Sequence, residues 1–292
     1  MALYTLENEK LRVEIASLGG ELQSIKDPDG CEYLWQGHPD YWLPKAIHMF
    51  PYFARLTQET YLLDGKKYKM GLHGFIQYME METIKKSPDF ICFSTTENSH
   101  TLEQYPFSFV FSIAYRLEDN RIAMEYNILN KSEGTMYFGL GSHPGYNIPL
   151  EEGLAFEDYL LEFSQRHTPR HIGMTPACFV DGTSKDFPLE DGRVLRLRHE
   201  LFDNDAIILD NVDKTVTLKS EKGSRGVTVS YPDMRYLALW HKPKTKAPYI
   251  CIEPITSLPS RQDVIEDLSK QEDLISLPPG ESYKNNMVIT VF

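Results

Sequence analysis

The chain has 292 residues, of which 41% are hydrophobic and 25% charged. That composition excludes disorder as the main state and needs neither disulfides nor a structural metal to build a core. Its 42 acidic against 30 basic side chains give a formal net charge of −12, a field that repels phosphodiester backbones and anionic lipid, so no nucleic-acid or membrane partner is expected.

The first twenty residues lack a basic segment followed by an apolar one, so no export signal is expected. The stretch 11–16 (LRVEIA) alternates apolar and polar residues, the period of a half-buried strand. Turn dipeptides Asp29-Gly30, Asp64-Gly65, Asp181-Gly182 and Asp191-Gly192 recur between strand-like runs. The runs 107–117 and 121–130 alternate on either side of Glu118-Asp119-Asn120 and predict a hairpin. Short helices are expected around 157–163 and 197–203, and no long amphipathic stretch exists. The runs 215–220 and 226–231 predict a second hairpin. A third strand pair is expected at 235–241 and 249–255, across a loop in which Pro243 and Pro248 block continuation. The last eight residues read as a closing strand. These elements predict an all-β chain, a large antiparallel sandwich or barrel, in one domain spanning 1–292.

Cys31, Cys92, Cys178 and Cys251 are far apart and form no CxxC pair, so free thiols and a cytoplasmic location are expected. No run of about 18 apolar residues appears, so no transmembrane helix is expected. P-loop, Rossmann glycine, GxSxG and HExxH motifs are absent.

Among the nine histidines, His38, His48, His100, His167, His171 and His199 sit in polar or mixed, loop-like contexts. His73 differs, because Gly71 and Gly74 flank it and let the backbone bend and a ligand approach. His143 follows a strand-like run and opens a Gly/Pro turn, where a rigid sheet positions a side chain that stays accessible. Taken singly, each reads as readily as a turn histidine capping nearby carbonyls. Glu253 ends an apolar run, on the face that alternation gives to Tyr249 and Cys251. On an interior face its pKa rises toward that of a neutral-pH base; on an edge strand it faces water. Arg55 follows an aromatic run and reads as an anion or hydroxyl fork, or as a snorkelling surface arginine. Trp35, Trp42 and Trp240 suit sugar stacking, though core packing is the commoner fate. The two histidines and the glutamate are scattered in sequence, with no tight HxH or HxxE pair, so no metal is expected.

In order, several segments resemble the aldose 1-epimerase (galactose mutarotase) family, closest to its bacterial LacX-like branch. They are Leu18-Gly19-Gly20-Glu21-Leu22, Tyr33-Leu34-Trp35-Gln36-Gly37, Pro51 to Arg55, Leu72-His73-Gly74-Phe75, Tyr105-Pro106-Phe107, Gly141-Ser142-His143-Pro144 and Ile252-Glu253-Pro254. The resemblance covers nearly the whole chain. It implies a large antiparallel β-sandwich and cofactor-free interconversion of the α and β anomers of an aldohexose. It further implies Glu253 as base, His143 as acid, and His73, Arg55 and Asp205 as sugar-binding residues. A small-molecule sugar is the expected partner, and the chain a monomer or homodimer. Relatives often read HGFAR where this chain has His73-Gly74-Phe75-Ile76-Gln77, and in hexose-6-phosphate-specific relatives that arginine helps hold the phosphate. Gln77 carries no charge for such a contact. The stretch Ile255 to Pro259 also departs from the aromatic residue often found there. Two alternatives stand beside the free-hexose mutarotase. One is the same chemistry on a hexose 6-phosphate held by Arg55 with Lys66 or Lys67; the other is a non-catalytic sugar-binding or sensing protein.

Overall fold

The computed structural model describes residues 1–292. The alternating runs assemble into two large antiparallel sheets. The first has nine strands, ordered Val194–Arg196, Tyr159–Phe163, Thr215–Ser220, Gly226–Ser230, Ser282–Val291, Arg121–Asn130, Phe109–Glu118, Phe90–Thr96 and Glu82–Ser87. The second has seven, ordered Val180–Asp186, Arg170–Met174, Ile207–Asp210, Tyr236–Trp240, Tyr249–Ile255, Gly141–Asn147 and Ala46–Met49. All three predicted strand pairs form, the first closing at Glu118↔Arg121 around Asp119, whose φ is 54°.

Period-2 alternation sends every second side chain between the sheets. Phe109, Phe111, Ile113, Tyr115 and Leu117 of the larger sheet share one core with Leu237, Leu239, Ile250 and Ile252 of the smaller. Burying each such side chain contributes roughly 1.5–3 kcal/mol. The opposite face of the seven-stranded sheet is also covered. Tyr236, Ala238 and Ile255 pack there with Phe53 and Ile208, and Tyr249 and Cys251 pack with Trp35. This second face carries the site.

His48 is fully buried between the sheets, not in the loop-like setting its neighbours in sequence suggest. Tyr126 Oη donates to His48 Nδ1 over 2.9 Å, which puts the ring proton on Nε2. That nitrogen then donates to Tyr115 Oη at 2.7 Å, and Tyr115 donates to the Gly20 carbonyl. The side-chain polar atoms of His48, Tyr115 and Tyr126 are thereby all satisfied, as burial requires. His48 pairs in register with Ser142, so the network anchors the strand that carries His143.

Both helix expectations need correction. Only Phe156–Asp158 is helical in the first region, a single 3₁₀ turn, and Tyr159–Phe163 is a strand paired on both edges. Two ladders of backbone hydrogen bonds outweigh a weak local preference there. In the second region only His199–Phe202 forms a 3₁₀ turn. The single α-helix, Ser99–Gln104, is held by an Asn98–Thr101 capping box that the periodicity did not signal. All four cysteines are free, and no helix is long and apolar enough to cross a membrane.

Candidate active site

Glu253 and His143 come from neighbouring strands of the seven-stranded sheet. Gly141 pairs with Ile255 and Gly145 with Cys251, so His143 and Glu253 lie directly across from one another. His143 Nε2 stands 3.4 Å from Glu253 Oε1, and the two residues are only 6% and 2% exposed. Of the two readings open for Glu253, the edge-strand one falls: its strand is flanked on both sides, by Tyr236–Trp240 and Gly141–Asn147.

Burial first, and then the charge of Asp205, push the Glu253 carboxyl well above its ordinary range. Burial, and then His73, push the His143 imidazole well below its own. Both directions disfavour the charged forms, so the pair is suited to holding a single proton, on the carboxyl or on the ring. Moving it between them changes no net charge, so the two groups titrate as a unit. Such a pair is able to take one proton from a ligand while giving another back.

Aromatic rings fix the imidazole of His143. Trp42 stacks on it at 4.5 Å between centroids and 23° between planes, Trp240 meets it edge-on at 5.8 Å, and His73 edge-on at 5.4 Å. His73 sits in a turn that folds back on the segment before Arg55. Its N–H donates to the Ala54 carbonyl, and the Ala54 N–H donates to His73 Nδ1 over 3.2 Å. An acceptor Nδ1 leaves the proton of the neutral ring on Nε2. Burial and the nearby Arg55 charge bring the His73 pKa down to about 4, so the ring is neutral at pH 7. Gly74 makes the turn feasible: its φ is 71°, and a Cβ there would lie 2.3 Å from the Phe50 carbonyl oxygen.

Arg55 is exposed and lines the same cavity, with no carboxylate within 4.0 Å. Asp205 lines it from the opposite loop at a φ of 77°, accepting a hydrogen bond from the Cys178 thiol. Burial, then Asp205, pushes that thiol up to about 11, so it stays protonated. Together these groups surround a cavity of about 320 Å³, at the low end for small-molecule sites. All five residues singled out from sequence, Glu253, His143, His73, Arg55 and Asp205, line this one cavity.

Sequence reasoning did not place Cys178, which has no flanking signal. Trp42 was left between core and site; it is half-buried, lines the cavity and covers His143. Trp240 does the same, whereas Trp35 is buried against Tyr249. Lys66 and Lys67 lie exposed on a separate two-stranded sheet and do not reach the cavity. Gln77 is also outside it, donating to the Leu72 carbonyl.

The structure also brings His143, Cys251 and Glu253 together, with donor atoms within 4.8 Å of one another. Separation in sequence therefore did not preclude a cluster. Burial and then Glu253 hold the Cys251 thiol well above its ordinary pKa, as a protonated packing group beneath the pair.

Comparison with known proteins identifies the family. The family model for aldose 1-epimerase matches residues 2–290. The chromosomal and plasmid forms of Protein LacX from Lactococcus lactis are each 33% identical over 98% of both chains. A galactose mutarotase related enzyme from Lactobacillus acidophilus superposes with a TM-score of 0.95 at 30% identity, covering 100% of this chain and 97% of that one. A galactose mutarotase-like protein from Lactobacillus casei gives the same TM-score and identity over the full length of both chains. The chain belongs to the aldose 1-epimerase family and is an isomerase acting on sugars.

Proposed function

We propose that the protein interconverts the α and β anomers of a free aldohexose, with Glu253 as base and His143 as acid. The observation that carries this reading is the buried Glu253–His143 pair at 3.4 Å beside a hexose-sized cavity. With the proton on His143, the Glu253 carboxylate removes the proton of the C1 hydroxyl while His143 Nε2 protonates the ring oxygen. The C1–O5 bond breaks and leaves an open-chain aldehyde. Rotation about C1–C2 presents the other carbonyl face to the C5 hydroxyl. Ring closure returns the C5 hydroxyl proton to His143 and the Glu253 proton to the new C1 oxygen. Atoms and charge balance with no cofactor.

His73, as an Nε2–H donor, binds the sugar beside the ring oxygen, and Arg55 and Asp205 hold hydroxyls from the two loops. Arg55 is the one cationic side chain lining this cavity, while Glu253 and Asp205 supply negative charge. That balance favours a free hexose over a hexose 6-phosphate. The whole chain acts as one domain, which agrees with a family match running from end to end.

The test is proton NMR exchange between the anomers of galactose and glucose, for wild type and Glu253→Gln. Wild type is expected to exceed the buffer rate and the variant to approach it. Tight sugar binding by calorimetry, with wild-type exchange no faster than buffer, would replace this reading by a sugar-binding protein.

A further inference from the structure

Behind the cavity, one buried residue joins the segment that carries Arg55 to the loop that follows Glu253. Ser260 is 1% exposed; it follows Pro259 of the cavity wall but does not line the cavity itself. Its N–H donates to the Arg55 carbonyl over 3.0 Å. Its hydroxyl oxygen accepts from the buried Thr57 N–H over 2.8 Å. Thr57 closes the clasp from the other side, its hydroxyl donating to the Arg261 carbonyl over 2.8 Å. Ser260 and Arg261 are themselves anchored. The Val180 N–H donates to the Ser260 carbonyl over 3.1 Å, and the Arg261 guanidinium makes two bonds to Glu266, at 2.9 and 3.0 Å.

The clasp bears on Arg55 because nothing else fixes that residue from this side. The Arg55 side chain is exposed and has no carboxylate partner, so its backbone sets where it points. The paired Ala54–His73 bonds hold that backbone before Arg55, and Ser260 holds it after. The segment between is under strain. Ala54, Gln58 and Glu59 have φ of 53°, 55° and 52°, left-handed values that residues other than glycine keep only where their surroundings impose them. Without the Ser260 hydroxyl, the Thr57 N–H is a buried donor with no acceptor. The segment then relaxes toward another partner and carries Arg55, two residues away, with it. Glu253 and His143 stand apart from this clasp, since paired strands set their spacing.

We propose that Ser260 is a positioning residue for sugar binding: through Thr57 and the Arg55 carbonyl it holds Arg55 over the cavity, and it takes no part in proton transfer. The inference rests on the reading of Arg55 as a sugar-binding residue above. Loss of the clasp therefore weakens binding and spares the chemical step.

The experiment measures anomer exchange of galactose and glucose by proton NMR, with thermal melting of every variant alongside. On the faster sugar, Ser260→Ala is expected to raise KM at least about fivefold, the effect of one orphaned buried N–H, and to leave kcat within about twofold. In an Arg55→Ala background the same change is expected to add less than about twofold, because the group it positions is gone. Thr57→Val removes only the hydroxyl bond to Arg261 and is expected to raise KM at least about threefold; it decides the question where Ser260→Ala loses its cooperative melt. A fall in kcat at unchanged KM overturns the inference, as do effects of Ser260→Ala and Arg55→Ala that multiply in full. Both results leave the mutarotase reading standing. Wild-type exchange no faster than buffer overturns that reading alone, and the same ratios, taken on the galactose Kd by calorimetry, then decide the role of Ser260.

Discussion

His143 and Glu253 face each other across two adjacent antiparallel strands, with Nε2 and Oε1 3.4 Å apart. Because the sheet sets this spacing, replacing either side chain removes a proton carrier without moving the other's backbone. Glu253→Gln and His143→Asn are each expected to lower kcat by about 10²–10⁴-fold, the usual worth of a positioned acid or base. The double variant is expected to lose little more than either single one, since the two act as a unit. Anomer exchange and thermal melting, run together, separate this from unfolding.

The same pair predicts the pH profile. Activity needs one proton on it, so kcat/KM is bell-shaped. The acid limb comes from a second proton binding, and burial with His73 opposes that charge on His143. The limb therefore lies below about 6.5, the ordinary histidine value. The alkaline limb comes from loss of the last proton. Burial and Asp205 raise the Glu253 carboxyl, which places that limb well above an ordinary carboxylate's titration. A rate that falls steadily from pH 7 to pH 6 would contradict this.

Trp42 excludes water from one face of His143 through its stacked ring. Trp42→Ala admits solvent, eases the penalty on the imidazolium and is expected to move the acid limb up by about one pH unit. Trp42→Phe keeps a stacked ring and is expected to restore the wild-type limb. A purely structural role would lower both variants' activity without shifting the profile.

Chelator treatment is expected to leave the rate unchanged. The proton transfers run between side chains, and the third donor near them, Cys251, is held as a thiol by burial and Glu253. Loss of activity in EDTA, recovered by a divalent metal, would assign His143, Cys251 and Glu253 as ligands.

Much of this site was legible before folding, and the reason is periodicity. Alternation along Tyr249 to Glu253 correctly placed Tyr249, Cys251 and Glu253 on one face. Glycines marked the turn that carries His73. What alternation cannot say is which strands are neighbours. Glu253 was equally compatible with an edge until the long-range pairing with Gly141–Asn147 buried it. The same limit hid His48, whose sequence neighbours describe a mixed segment while its hydrogen-bond partners lie 67 and 78 residues away. Trp42 and Cys178 reach the cavity through loops, where side-chain direction follows no period. The region 157–163 failed for a related reason, because a strand paired on both edges owes its structure to partners distant in sequence.

His48 makes a stability prediction with a definite sign. Burial brings its pKa down to about 4 in the folded chain, against about 6.5 when unfolded. Between those values the unfolded chain binds the proton that the folded chain refuses. Stability is therefore fully present above about 6.5 and falls as pH drops toward about 4. His73 and His241, each also near 4 and lowered mainly by burial, add to the same slope. His48→Leu leaves Tyr126 Oη without its acceptor and is expected to cost about 1–3 kcal/mol at pH 7.5. At pH 5 the cost is expected to be smaller, because the variant no longer carries the proton penalty. Urea denaturation of both proteins at the two pH values measures this, and a cost that grows on acidification would refute the buried neutral imidazole.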